Sequence, residues 1–150
     1  MMTFSFKLAN RKNLLLLTGV VMMFVGASCA PKYEPTPAPD RLLPELTTGI
    51  ATFKGNAVEN FYLNYVSLGN VPIEEYGIVY AFLPDTTAVD LVIGGSYPTA
   101  KFKNAPKTGA NTETFNIALP SGMHALSYRA YAKVVGGEVR YASNRMNKTY

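Results

Sequence analysis

The sequence predicts an all-β chain that folds as a two-sheet sandwich of about seven strands. Three observations predict it. Beyond residue 47 no window of about 11 residues keeps a 3.6-residue apolar period, several short segments alternate with period two, and turn signals rich in Gly and Pro separate them. Short alternating strands at such spacing suit a sandwich.

Ahead of the folded part, residues 1–28 read as a removable leader. Lys7, Arg11 and Lys12 precede an apolar run from Leu14 to Gly26 that is broken only by Thr18 and two glycines. Spanning a bilayer takes about 20 apolar residues at about 1.5 Å each, so this run is an export signal and not an anchor. Its end, Val25-Gly26-Ala27-Ser28-Cys29, resembles the lipobox of bacterial lipoproteins, with Gly26 standing where that family prefers an aliphatic residue. The resemblance implies that Cys29 is diacylated, becomes the first mature residue and is then acylated on its amino group. Acyl chains gain about 0.8 kcal/mol per buried CH₂, so several make the attachment effectively permanent. The rival is ordinary signal-peptidase cleavage after Ser28-Cys29-Ala30, against which Pro31 stands at the position following the cut.

Residues 29–47 read as a Pro-rich tether. Pro31, Pro35, Pro37 and Pro39 fall within Ala30 to Asp40, and Pro44 follows. Prolines fix φ and push their predecessors toward extended backbone, so the segment is expected to be a polyproline-like spacer of roughly 30 to 40 Å.

The domain is expected over residues 48–150. Ala51, Phe53, Gly55 and Ala57 share one face of a first strand, and a second runs through Phe61 to Val66. Ile78 and Tyr80 share a face within Tyr76 to Ala81, and another strand lies near Thr99 to Lys103. Phe115, Ile117 and Leu119 form the next stripe, and Leu126, Tyr128, Ala130, Ala132 and Val134 the last long one. Gly136-Gly137 then predicts a two-residue hairpin turn into Val139 to Ser143, because the primed turns need positive φ.

Tyr76-Gly77-Ile78-Val79-Tyr80-Ala81, the strand Phe115 to Leu119, Pro120-Ser121-Gly122 and Leu126-Ser127-Tyr128-Arg129-Ala130-Tyr131-Ala132, with Gly137 and Tyr141 behind, resemble the fibronectin type III-like modules of Gram-negative envelope lipoproteins. The resemblance covers about residues 48–145 and implies an immunoglobulin-like sandwich at a cell envelope, with no catalytic residues. Leu126 stands where the family has a buried corner tyrosine, and Phe61 to Pro72 is longer and more aromatic than the usual connection.

Charge narrows the function classes. The net charge of +4 is mostly the leader's, since three of the 14 cations lie there and 11 remain against 10 carboxylates. A near-neutral mature chain has no electrostatic footprint for nucleic acid. One Cys excludes an intrachain disulfide framework, and one Cys with one His excludes a Cys/His zinc site. His124, the only imidazole, falls in the Ser121 to His124 turn with no aligned serine and carboxylate. Glu74 and Glu75 are adjacent in an extended segment and point to opposite faces, so they cannot act as a spaced acid/base pair. Asp85 and Asp90 bracket a loop with too few oxygens for calcium. Asp85-Thr86-Thr87 resembles a short bacterial O-glycosylation motif. Lys101 and Lys103 read as charges on an exposed edge strand.

Ten tyrosines, all beyond the leader, are the main surplus. Tyrosine combines large apolar area with a polar tip at low entropy cost, so Tyr62, Tyr65, Tyr131 and Tyr141 are the candidate contact residues. The expected function is a lipid-anchored, non-catalytic binding or assembly module for adhesion or support of a surface complex, located in the cell envelope at the outer membrane. The alternative is a glycan-binding accessory lipoprotein that uses an exposed tyrosine patch. The expected partners are the membrane, through the lipid, and an envelope protein or a glycan; no cofactor or metal is expected.

Overall fold

The computed structural model describes residues 38–150. The leader, Cys29 and the tether as far as residue 37 lie outside the described residues. Nine strands and no helix occur among the described residues: β1 (Glu45–Thr48), β2 (Thr52–Lys54), β3 (Ala57–Ser67), β4 (Ile73–Leu83), β5 (Thr99–Lys101), β6 (Gly109–Ala118), β7 (Ala125–Val134), β8 (Val139–Tyr141) and β9 (Met146–Thr149). No helix long and apolar enough to cross a membrane is among them.

The strands form two antiparallel sheets. In the first, β6 pairs with one edge of β3 over most of its length, so β1 and β2 share the opposite edge, one after the other. In the second, β5 borders β4, β4 pairs along the whole of β7, and β8 and β9 share the far edge of β7. The two inner faces meet in one apolar core. Phe61, Leu63 and Tyr65 of β3 face Tyr76 and Ile78 of β4 and Leu126, Tyr128 and Ala130 of β7, all at most 4% exposed.

Aromatic rings run through this core as a connected series. Tyr65 lies 5.8 Å from Tyr76, Tyr76 5.3 Å from Phe102, Phe102 5.7 Å from Phe115, and Phe115 5.9 Å from Phe61, which also contacts Tyr128 at 5.4 Å. The tilted geometries suit ring quadrupoles. The tyrosine tips mostly reach polar partners. Tyr76 Oη donates to the Asn104 carbonyl, and Tyr128 Oη accepts from the Ala51 amide at 2.9 Å.

The second sheet is covered on its outer face as well. The connection 84–98 lies over β4 and β7, where Leu91 packs with Val79, Ala81 and Tyr131 in a smaller core. Tyr141 Oη accepts from the Ile93 amide at 3.0 Å and holds that connection down. At the sandwich side, Thr48 of β1 bridges the sheets. Its Oγ1 accepts from the Ala130 amide, and the Asn144 side-chain amide bonds both the N–H and the C=O of Thr48.

Several boundaries differ from the sequence expectation. β1 starts at Glu45, within the segment read as tether, because Pro44 and Leu46 are buried and Asn70 fastens the chain ahead of them at Asp40 and Leu42. The single strand expected over Ala51 to Ala57 is two strands, since the chain reverses at Gly55-Asn56 and β2 pairs with β3. The region read as an insertion, Phe61 to Pro72, is mostly β3 itself. The hairpin after β7 uses three loop residues, not two: Gly137 N bonds Val134 O, and Val134 N bonds Glu138 O. Both glycines carry the expected positive φ, 96° and 84°.

Candidate functional site

The four candidate tyrosines do not form one surface patch. Tyr65 points inward from β3 and is 1% exposed. Tyr131 points outward from β7 but is 0% exposed, because the 84–98 connection covers it. Its hydroxyl donates to Glu75 Oε1 at 2.8 Å, while Lys101 Nζ lies 2.6 Å from Glu75 Oε2. Tyr62 is half-buried on the outer face of the first sheet, and Tyr141 is half-buried on the outer side of the second. Burial raises the pKa of both Tyr65 and Tyr131, and the Glu75 carboxylate adds to the effect at Tyr131. Tyr65 and Tyr131 are therefore core residues, and the other two lie on different sheets.

One cavity of about 260 Å³ lies among Leu68, Pro72, Ile73 and Pro106. Three others follow the side where β8 and the 142–145 segment approach β1, and Tyr141 is the one candidate tyrosine that lines any of them. One of about 260 Å³ is lined by Val89, Asp90, Leu91, Arg129, Ser143 and Arg145. A neighbour of about 180 Å³ shares Ser143 with it and adds Tyr141, Thr47 and Arg140. A third, of about 480 Å³, shares Arg140 with the second and adds Arg41. All four arginines of the described residues line this row of cavities.

The first of that row holds two of the four arginines. Alternation along β7 puts Arg129 on the outer face beside Tyr131, next to the edge where Tyr141 follows in β8. Arg129 Nε donates to the Ala142 carbonyl at 2.8 Å, and the guanidinium lies 5.2 Å from the Tyr141 ring centroid. Arg145, from the segment before β9, donates through Nη1 to the Val89 carbonyl. Each arginine is thus fixed by a backbone acceptor and, among the described residues, neither forms an ion pair. Asp90 and Ser143 stand at the exposed rim. Two planar forks held in this way favour a carboxylate or another planar acceptor, and the rim offers an acceptor and a hydroxyl to polar groups around it.

The remaining sequence candidates fall outside this cavity. His124 is exposed ahead of β7, and its amide bonds the Leu83 carbonyl. Glu74 lies 3.8 Å from Lys133, whereas Glu75 serves Tyr131 and Lys101. Asp85 accepts from the amide and the hydroxyl of Thr87, which closes a local turn and holds the carboxyl below its ordinary pKa. No group of three or more His, Cys, Asp or Glu side chains that could hold a metal occurs among the described residues. Sequence reasoning missed the arginines. A usable signal was the pairing of Arg129 and Tyr131 on one strand face with the long 84–98 connection, since connections of that length are commonly functional. Comparison of the chain with protein-family models, with curated proteins and with solved structures gives no match.

Proposed function

We propose that this chain is a lipid-anchored, non-catalytic binding module of a bacterial cell envelope, built on an immunoglobulin-like sandwich of the fibronectin type III-like kind. The observation that carries the binding reading is the cavity lined by Arg129 and Arg145, each of whose guanidinium groups donates to a backbone carbonyl before any ligand arrives. Such preorganisation reduces the ordering cost of association. His124 is not among the lining residues, so Ser143 has no imidazole beside it to act as a nucleophile's base.

The strand order supports the finer fold reading. Taking β1 with β2 and β8 with β9 as interrupted single positions leaves three positions in one sheet and four in the other. That division and the antiparallel pairing suit the module type that the sequence resembles. The envelope location rests on the leader and on Cys29 in its lipobox-like context. A protein partner within an envelope complex is the first reading. A glycan partner is favoured by one specific observation, the company of guanidinium, carboxylate and hydroxyl groups in a single small cavity.

The test uses the full chain expressed in a Gram-negative host. Radiolabelled palmitate is expected to enter the wild type and not Cys29→Ser, and the variant is expected to leave the membrane fraction. Detergent-solubilised wild type is then screened against a glycan array and against envelope extract. Retention of a saccharide or an envelope protein without product formation supports the binding module, whereas turnover of a bound saccharide would overturn its non-catalytic character.

A further inference from the structure

The geometry points to an acidic sugar, a ring carrying one carboxylate and free hydroxyls as in a uronic acid unit of a polysaccharide, as the ligand of the Arg129–Arg145 cavity. The inference rests on the binding-module reading and names its ligand class.

Three features of the cavity select that chemistry. Its volume of about 260 Å³ is below the range of drug-sized ligand sites and suits one ring or one side chain. Arg129 and Arg145 enter it from different elements, β7 and the segment before β9, and among the described residues neither makes a direct ion pair with a carboxylate. A planar anion between two guanidiniums accepts charge-assisted hydrogen bonds from both. Asp90 adds a carboxylate at the same rim, and a carboxylate accepts without donating. A ligand that matches all three charges must bring one anion for the arginines and hydroxyl donors for Asp90.

Acidic peptides fit that demand less well. Glutamate and aspartate side chains bring acceptors alone, so only backbone N–H groups could donate to Asp90, and a run of carboxylates would set further negative charge against it. Neutral sugars satisfy Asp90 and Ser143 but leave the two guanidiniums without an anion. The adjoining cavities, which share Ser143 and then Arg140, extend the site along the sandwich side and suit a chain of such units over a single free monosaccharide.

The test is titration calorimetry on full-length protein in detergent, with a short oligogalacturonate, its methyl-esterified neutral form and an oligoglutamate peptide as probes. The oligogalacturonate is expected to bind saturably and more weakly as salt rises, with the ester at least about tenfold weaker. Arg145→Gln, on an exposed side chain, is expected to weaken oligogalacturonate binding about tenfold or more with no change in thermal midpoint. Asp90→Asn separates recognition from simple charge attraction. If Asp90 accepts sugar hydroxyls, the variant weakens oligogalacturonate binding. If the site only gathers negative charge, the variant strengthens it, and the inference fails. Failure of oligogalacturonate to bind, equal binding of the ester, or preference for oligoglutamate would also overturn it. Capture of a neutral glycan or an envelope protein that ignores Arg145→Gln would overturn the acidic sugar and leave the binding module standing. Depolymerisation of the probe would instead overturn the non-catalytic reading.

Discussion

Tyr65 brings its hydroxyl into the core with no hydrogen-bond partner, one of two such buried side-chain atoms among the described residues. An unsatisfied buried hydroxyl forfeits its hydration, while the ring beneath it packs against Tyr76. Two substitutions there should therefore diverge. Tyr65→Phe is expected to leave stability unchanged or raise it by about 1 kcal/mol, whereas Tyr65→Ala is expected to cost about 3 to 5 kcal/mol in urea unfolding. The same arithmetic disqualifies Tyr65→Ala as a probe of binding. Glu75 gives a second residue-level expectation, in pH. The Lys101 bond first, and the Tyr131 hydroxyl after it, hold the Glu75 carboxyl below its ordinary 4.5. A depressed carboxylate contributes stability above the unfolded pKa and loses it as pH falls through the folded one. The wild type should thus exceed Glu75→Gln by up to about 1 kcal/mol near neutral pH, since the Lys101 end of the pair is exposed to solvent, and the gap should close on acidification below 4.5. A gap that widened in acid would mean that the carboxylate is not the group holding Lys101 and Tyr131.

At the scale of elements, pairing outweighs side-chain pattern wherever the two compete. Strands β4 and β7 were legible because each carries an apolar stripe on alternate residues, such as Ile78 and Tyr80 in β4, whereas β6 was legible only at its Phe115–Ala118 end, its first six residues having no apolar alternation. β9 was not legible: Met146-Asn147-Lys148-Thr149 has no apolar alternation, and its backbone bonds to β7 make it a strand. β1 was hidden by Pro44, which reads as tether yet packs as core. The β7–β8 hairpin was legible as a turn from Gly136-Gly137, but its three-residue length depends on the bonds between Val134, Gly137 and Glu138. Changing both glycines to Val should cost several kcal/mol, about 1 to 3 for each strained residue, read as a fall in the urea midpoint. Gly77 is a different case, since its φ is ordinary and its constraint is close approach. A Cβ there would lie 2.2 Å from the Ala100 carbonyl oxygen on β5. Gly77→Ala should push β5 from the sheet edge, and hydrogen exchange should show it as lost protection at Ile78 and Phe102, whose amides face that edge.

For the molecule as a whole, two layers plus one covering connection decide where a ligand can go. Composition and period were enough for an all-β chain of two sheets, because those depend on local alternation. The candidate site was not legible, since residues 89–91, 129 and 143–145 meet only after the 84–98 connection has folded over the outer face of the second sheet. That same cover buried Tyr131, which alternation alone placed on the surface. Much of the tyrosine surplus is accordingly spent on packing: rings at the sheet interface, and the hydroxyls of Tyr76, Tyr128, Tyr131 and Tyr141 tied to backbone or to Glu75. Phe61 is the ring on which that packing converges, touching Tyr80, Phe115 and Tyr128. Phe61→Ala should cost about 3 to 5 kcal/mol and lower the unfolding temperature of the sandwich in one cooperative step.

The clasp between Thr48 and Asn144 has a mechanical side. Tension applied through the chain ahead of β1 reaches the Asn70 bonds to Asp40 and Leu42 first, and then β1. β1 is bonded to β3 in its own sheet and, through Thr48, to Ala130 and Asn144 in the other, so it cannot peel from one sheet without parting from both. A module held by its amino-terminal end in flowing liquid would carry its load across these bonds, and Asn144→Ala should lower the rupture force recorded when single molecules are stretched from that end.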